Sequence, residues 1–398
     1  MLFLSTPFST WIGGSVQMLS TYVQSEWPML LVMGGLAASW AEVEILISTM
    51  TLTAFASLVM AKVLLQERGG RLELDLRGGS ISNSNDLAAQ LLLLMPFMLL
   101  IAFNPKKNVV YRLLAISGSA LATYMILGSA SRGAMVSLGA MALLLFFLAN
   151  GAKKLLALLL LPLVLIGVFV SLSGTAQRRL LNFSTTNSAG DNFETQEAID
   201  SARSRSYIFM KSLQYTFEHP FLGVGPGQVN SYDGQVSVRE GRARGHWMGT
   251  HNSYTMISSE CGIPAFLFFT GALILSFTTM NGIRKTCGYR EDLAHIKRVV
   301  EAMMLSQMGF YVAITFLTIG YRNTLPAMGG LAIVVAITAR AEIYRIDKAK
   351  QEAQTATLPV NPLTGRVTPV LATAPAAPQP QWVAQSGRPR LNPKFGRG

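Results

Sequence analysis

Nine apolar segments, separated mostly by short polar connections, constrain this chain of 398 residues more than any other feature. A helix of about 20 apolar residues crosses the hydrocarbon core of a bilayer, and such a helix hides its own backbone polar groups from lipid. The sequence therefore predicts an all-α, polytopic membrane bundle of about nine spans. The segments are Pro28–Ala41 (the weakest), Ile45–Leu65, Leu87–Phe103, Tyr111–Leu127, Gly133–Leu148, Leu155–Leu172, Ser253–Met280, Val299–Ile319 and Leu325–Ala339.

The composition supports a membrane protein and excludes several other classes. Half of the residues are hydrophobic and only 14% are charged, whereas a soluble domain carries about 25% charged residues. A disordered or fibrous protein is excluded, and a soluble enzyme is disfavoured. The net charge of +12 is spread between the apolar segments and along a C-terminal tail. Because nucleic-acid binding needs basic residues gathered on one face, we expect the lipid bilayer as a partner and no nucleic acid.

The distribution of Lys and Arg predicts the orientation of the bundle. The connections 105–112, 150–154 and 282–298 carry 10 basic residues, against 5 in the alternating connections 66–86, 129–132 and 320–324. Basic residues concentrate on the cytoplasmic side, so we expect Arg132 and the one long loop on the outer face. The predicted organisation is N-terminal transmembrane helices over 1–173, an outer loop over 174–252, C-terminal transmembrane helices over 253–343 and a disordered cytoplasmic tail over 344–398.

The outer loop is too long to be a simple connection, since loops beyond about 15 residues usually carry a function or are disordered. Helical spacing without proline predicts a helix over Phe193–Glu218, and His219-Pro220 ends it. The following Gly223-Val-Gly225-Pro-Gly227 lacks the third glycine of the dinucleotide-binding pattern. We expect these glycines to form a tight turn where another backbone segment approaches.

Three residues of this outer region have the chemistry of a transfer site. His251 lies where the loop re-enters the membrane, and a neutral imidazole is suited to general-base catalysis. Arg132, at the outer mouth of a span, and Arg205, on the loop helix, offer the planar fork that grips phosphate oxygens. Simpler roles remain open: a structural histidine, an arginine whose side chain reaches the interface, and solvated arginines, to which Arg239, Arg242 and Arg244 also belong.

No residue pattern predicts a metal site or a cofactor. The four histidines and two cysteines are scattered without the spacing of a zinc site. Glu73 and Asp75 form an acidic pair, but Arg71 and Arg77 flank the pair and neutralise it in a surface turn.

Taken in order, these residues resemble the O-antigen ligase and O-antigen polymerase superfamily over roughly residues 79–330. No single motif is specific, and their order and spacing carry the resemblance. Phe209 stands where many members have tryptophan, and the N-terminal spans are fewer than usual, so we expect the true start upstream. The matching motifs are Gly79-Ser-Ile-Ser-Asn83-Ser-Asn85-Asp-Leu-Ala88, Ser131-Arg132-Gly133, Arg205 fourteen residues before His219-Pro220, the glycine turn, and His251-Asn252-Ser253-Tyr254 followed by Glu260 and Gly262-Ile-Pro264.

The resemblance implies a glycosyltransferase of the bacterial inner membrane whose active site faces the periplasm. It implies a glycan donor on undecaprenyl diphosphate, an acceptor hydroxyl on lipid A-core or another glycoconjugate, inversion at the anomeric carbon, and no need for a metal or ATP. His251 is then the catalytic base. The implied substrate-binding residues are Arg132 and Arg205, with Arg203 secondary, together with Asn252, Tyr254 and Glu260.

Two alternatives stay open at this point. A polymerase of the same superfamily joins one lipid-linked repeat to another, and only the shape of the acceptor pocket separates it from a ligase. A secondary transporter of a small anion, with Arg132 as the counter-ion, belongs to a different class. Transporters place polar sites near the bilayer midplane on repeated, broken helices, whereas the polar groups here cluster at one face and no repeat is visible.

Overall fold

A computed structural model describes residues 1–68, 71–74, 84–149, 193–241 and 249–356, together with positions 151, 154, 166, 169, 170 and 177. The predicted span Leu155–Leu172 lies almost wholly outside the described residues. Arg242, Arg244 and residues 357–398 also lie outside them.

Helices dominate the described part of the chain. A short antiparallel hairpin follows the fourth helix, with β1 (Leu65–Arg68) paired to β2 (Arg71–Leu74) so that Leu65 lies opposite Leu74. The helices are α1 (Leu2–Ser5), α2 (Ile12–Thr21), α3 (Pro28–Gly35), α4 (Trp40–Leu64), α5 (Ser84–Ala102), α6 (Val109–Gly128), α7 (Arg132–Leu148), α8 (Phe193–Glu218), α9 (Val229–Arg239), α10 (Ser253–Cys287), α11 (Ala294–Ala313) and α12 (Thr324–Ala356).

Six of the described helices are long and apolar enough to cross a membrane, namely α4, α5, α6, α10, α11 and α12. Helix α7 is apolar but shorter. The predicted helical membrane bundle is therefore confirmed, whereas the predicted number of nine spans is not. Helix α8 has the predicted bounds, and α10 begins at Ser253 as the sequence predicts.

Three predicted boundaries differ from the structure. The first span, Pro28–Ala41, is wrong, because α3 has eight residues and an α-helix rises only about 1.5 Å per residue. The span Val299–Ile319 is displaced, since α11 covers Ala294–Ala313 and is followed by a 3₁₀ turn over Ile314–Phe316. The predicted tail starts too early, because α12 continues to Ala356.

The core of the bundle lies around α5 and α11. Helix α5 packs against α6 and α11, and α11 also packs against α7 and α10. Leu92 and Phe97 of α5 and Met303 and Phe310 of α11 are almost completely buried. Inside a bilayer such side chains leave lipid and not water, so van der Waals packing holds the helices together, and this interface fixes the positions of the helices that carry the site.

The N-terminal segment packs on the N-terminal part of α10 and on the glycine turn. Met1, Leu2, Met18 and Tyr22 contact a buried cluster around Met256 and Cys261. Two hydrogen bonds tie the segment to the turn: the Thr10 amide donates to the Val224 carbonyl (3.0 Å), and the Ser15 hydroxyl donates to the Pro226 carbonyl (2.9 Å). Residues more than 200 positions apart in the sequence therefore form one structural unit.

Candidate active site

Arg132 is the first residue of α7 and is exposed. The Ser131 hydroxyl accepts a hydrogen bond from the Ala134 amide (3.3 Å) and so caps the helix. Ala130, just before the cap, has a positive φ of 47°, which turns the chain sharply into α7. The start of a helix carries a partial positive charge that attracts anions, and the guanidinium of Arg132 adds a full charge to it.

Arg205 of α8 is half-buried and lies within electrostatic range of Arg132. Burial first, and the positive charge of Arg132 second, lower the pKa of Arg205. An arginine guanidinium is cationic at neutral pH. Two like charges held together in this way favour a bound anion, and the arginine fork matches phosphate oxygens.

His251 lies immediately before α10 and is partly buried. Its φ of 49° places its backbone in the left-handed region, which is uncommon for residues other than glycine and is a feature of active sites. The His251 amide donates to the Thr318 hydroxyl (2.8 Å), which holds this conformation. The Asn252 side chain caps α10 by accepting from the Tyr254 and Thr255 amides.

The segment 316–319 connects the start of α7 to the start of α10. The Ser253 hydroxyl donates to the Leu317 carbonyl (2.6 Å) and accepts from the Ile319 amide (3.1 Å). On the other side, a Cβ on Gly133 would lie 2.8 Å from Cγ of Phe316, so the ring lies directly against this glycine. This segment therefore brings Arg132 and His251 to the same end of the bundle. Sequence reasoning missed it, because residues 299–319 were interpreted as one continuous span.

The electrostatic environment of His251 favours a neutral imidazole. Burial is the larger cause and the charge of Arg205 the second, and both lower the pKa of His251 below its ordinary value of 6.5. Asp86, in the first turn of α5, acts in the opposite direction. A neutral imidazole at pH 7 can accept a proton, as a general base must. Sequence reasoning also missed Asp86, which no spacing pattern connects to His251.

The glycine turn has the geometry that its sequence predicts. Gly223, Gly225 and Gly227 all have positive φ, at 68°, 113° and 73°. A Cβ on Gly223 would lie 2.2 Å from the backbone carbon of Glu260, and one on Gly225 would lie 2.0 Å from Oγ of Ser9. Only glycine fits at these two positions, and the expected close approach of another backbone segment is confirmed.

Helix α10 is broken at Gly262, where the glycine turn docks. Gly262 has φ 85° and ψ 172°, so the helical hydrogen bonds are interrupted there. The turn replaces them: the Val224 amide donates to the Ser259 carbonyl (2.9 Å), and the Gly225 amide donates to the Glu260 carbonyl (3.0 Å). The Ile263 amide donates in turn to the Pro220 carbonyl (2.7 Å). The break is therefore fully hydrogen-bonded, as buried backbone groups require.

The other predicted site residues have varied surroundings. The Glu260 carboxylate is buried and accepts from the Gly227 amide (2.8 Å), so it stabilises the glycine turn. The Tyr254 hydroxyl donates to the Tyr311 carbonyl (3.0 Å). Arg203 is exposed, and two residues along a helix place it on a different side from Arg205. Their predicted roles in substrate binding stay predictions.

Among the residues that the structure describes, no three His, Cys, Asp or Glu side chains come together as a metal site would require. Among the described residues, Arg205 lies within electrostatic range of both Arg132 and His251, and Asp86 within that of His251.

The comparison with known proteins finds a match to a family model. The family model for O-antigen ligase matches residues 117–270, a segment that includes Arg132, Arg205 and His251. No curated protein matches the sequence.

Proposed function

We propose that this chain, which matches the family model for O-antigen ligase over residues 117–270, transfers a glycan from undecaprenyl diphosphate to an acceptor hydroxyl. The reaction takes place at the periplasmic face of the bacterial inner membrane. The acceptor is a sugar hydroxyl of lipid A-core or of another glycoconjugate. One observation carries the proposal: the segment 316–319 contacts both Gly133, beside Arg132, and His251, and Arg205 lies within electrostatic range of both Arg132 and His251.

Arg132 and Arg205 bind the diphosphate of the donor. When the bond between the anomeric carbon and the diphosphate oxygen breaks, its electron pair stays on that oxygen, and the leaving group gains one negative charge. Fixed cations near this oxygen stabilise the transition state more than the ground state, because the charge develops as the bond breaks. The start of α7 contributes in the same direction through its backbone amides.

His251 accepts the proton of the acceptor hydroxyl as the hydroxyl oxygen attacks the anomeric carbon. The lowered pKa of His251 keeps the imidazole ready for this proton at neutral pH. The imidazolium then returns the proton to water, so atoms and charges balance. Attack from the side opposite the diphosphate inverts the anomeric carbon in a single displacement.

The test compares four variants in phospholipid nanodiscs with an undecaprenyl-diphosphate-linked glycan and lipid A-core. We expect His251→Gln to lower kcat by about 10²–10⁴ and Arg132→Gln or Arg205→Gln by about 10²–10³. Arg203→Gln is the matched control, since Arg203 is exposed on another side of α8 from Arg205 and takes no part in the diphosphate binding proposed here, so the variant should retain most of the activity.

The products of the same assay separate the two reactions open to this superfamily. Glycosylated lipid A-core indicates a ligase, and longer lipid-linked glycans made without the acceptor indicate a polymerase. Full activity of His251→Gln in correctly folded protein would exclude the proposed mechanism.

A further inference from the structure

Helix α8 has three distinct sides. One side is buried against the protein through Ile208, Ser212 and Tyr215. A second side is polar and internally hydrogen-bonded: Lys211 Nζ donates to Gln214 Oε1 (3.1 Å), and Gln214 Nε2 donates to Glu218 Oε1 (2.6 Å). Water can hydrate this polar side. The exposure of the third side, which is apolar, therefore needs a separate explanation.

The third side is apolar and exposed. Met210 and Phe217, seven residues apart, lie on it with Leu213 between them, and Phe221 follows just after the helix. Positions i, i+3 and i+7 share one side of a helix. The exposed fractions are 62% for Met210, 73% for Phe217 and 75% for Phe221. A contiguous patch of this kind marks a binding surface.

The apolar side of α8 joins an exposed apolar surface of α10, which is a candidate span. The Pro220 carbonyl accepts from the Ile263 amide (2.7 Å), and a Cβ on Gly262 would lie 2.3 Å from the Phe221 carbonyl oxygen. About one turn further along α10, Leu267 and Phe268 are exposed to 61% and 72%. The exposed phenylalanines of α8 therefore begin where the exposed apolar residues of a candidate span begin.

The depth of this junction follows from the length of α10. Its 35 residues at about 1.5 Å each exceed the hydrocarbon thickness of about 30 Å, so part of the helix lies outside the hydrocarbon. The part before Gly262 is polar and buried in protein, with Ser253, Ser259 and Glu260 almost inaccessible. The apolar part after Gly262 is the part that contacts lipid, and Phe221 lies at the boundary between the two.

We propose that α8 is an interfacial helix whose apolar side, formed by Met210, Leu213, Phe217 and Phe221, inserts among phospholipid acyl chains. The leaflet is the one nearest the candidate active site. A helix with one apolar side and one polar side lies in the plane of such an interface. The insertion holds Arg205, three turns before Phe217 on the same helix, at the level of the lipid headgroups. This inference goes beyond the proposed transfer reaction and does not depend on it.

The test places nitroxide labels on opposite sides of α8 in vesicles of phosphatidylcholine and phosphatidylglycerol. Both native cysteines are buried and are replaced by alanine before single cysteines are introduced. The label goes on Phe217→Cys, with Gln214→Cys as the matched control on the polar side and Leu267→Cys as the lipid-facing reference. Relaxation by oxygen, which partitions into lipid, and by a water-soluble nickel chelate is measured at each position.

We expect the label at position 217 to behave like that at 267, with strong relaxation by oxygen and a several-fold lower response to the chelate than at 214. A response to the chelate equal to that at 214 would show a water-exposed helix and overturn the proposal. Weak relaxation by both reagents would show a protein contact, such as a second copy, and would also overturn it. If Phe217→Cys does not fold, Met210→Cys with Lys211→Cys as its control gives the same comparison.

No glycan donor, acceptor or turnover enters this measurement. A failed insertion result therefore leaves the proposed function intact, and an inactive protein can still show insertion.

Discussion

The glycine turn and the cationic site, which consists of Arg132, Arg205 and His251, both lie beside α8 and α10, yet they are built in opposite ways. At the turn, the described backbone groups are paired: Val224 and Gly225 donate to carbonyls of α10, and Ile263 donates back. At the cationic site, the charge of Arg132 lowers the pKa of Arg205, so two like charges oppose one another. The turn is therefore arranged for stability, whereas the opposed charges of the proposed site cost stability that a bound anion would restore.

The largest effect is expected from adding a side chain at the turn. In Gly223→Val the new Cβ would overlap backbone atoms of Glu260, and the residue would also have to keep a φ of 68°. The overlapping atoms belong to the backbone and not to a flexible side chain that could move aside. We therefore expect the free energy of unfolding to fall by more than about 3 kcal/mol, with little folded protein in the membrane. Fluorescence-detected size-exclusion chromatography of detergent extracts measures the folded fraction.

Gly271→Ala is the matched control for that substitution. Gly271 lies in the same helix as Gly262, and a Cβ there meets no atom within 4 Å. The variant should fold as well as the wild type, since alanine favours the helix. Equal amounts of folded Gly223→Val and Gly271→Ala would show that the turn is not the rigid junction described here.

The second largest effect on stability is expected at the cationic site, and there the substitution should stabilise the protein. Arg205→Gln removes one of two neighbouring positive charges, so the unliganded variant should be at least as stable as the wild type. Inorganic pyrophosphate should raise the Tm of the wild type, because a ligand at 100 times its Kd stabilises by about 2.7 kcal/mol. The variant should lose most of this shift, and Arg203→Gln should keep it. Thermal melts with and without pyrophosphate measure both quantities, and an equal shift in Arg205→Gln would contradict diphosphate binding at this arginine.

The same comparison explains what the sequence could and could not predict. The bounds of α8 and the start of α10 follow from local signals, namely helical spacing, the His219-Pro220 stop and the capping Asn252. The glycine turn was predicted as a close approach, because three glycines in five residues have few other uses. Its partners were not predicted, because Ser9 and Ser15 lie more than 200 residues away. Gly262-Ile-Pro264 is a local signal for a helix break, but nothing in it identifies the glycine turn as the segment that docks there.

The cationic site was predicted through the chemistry of its residues and through the family resemblance. Its scaffold was missed, since Leu317 and Thr318 look like the end of a span and act only through long-range hydrogen bonds to Ser253 and His251. A hydropathy scale measures the free energy of transferring a residue into lipid. It does not show where a helix ends so that another segment of the chain can pack there. Asp86 belongs to the quoted motif before α5, but the sequence indicated no role for it, because its electrostatic interaction with His251 joins residues 165 positions apart.

The smallest expected effect is on the pH profile of kcat/KM, whose acidic limb should move in opposite directions in two variants. The base must be deprotonated, so kcat/KM of the wild type should fall as the pH drops through the pKa of His251, which lies below 6.5. Asp86 raises this pKa and Arg205 lowers it. Asp86→Asn should therefore move the acidic limb of the profile to lower pH, and Arg205→Gln should move the limb of its residual activity to higher pH. Arg203→Gln, which is exposed on another side of α8, should leave the limb in place. Shifts in the same direction for Asp86→Asn and Arg205→Gln would mean that the limb reports a group other than His251, and the cationic site would then lack the base that distinguishes it from a simple anion-binding surface.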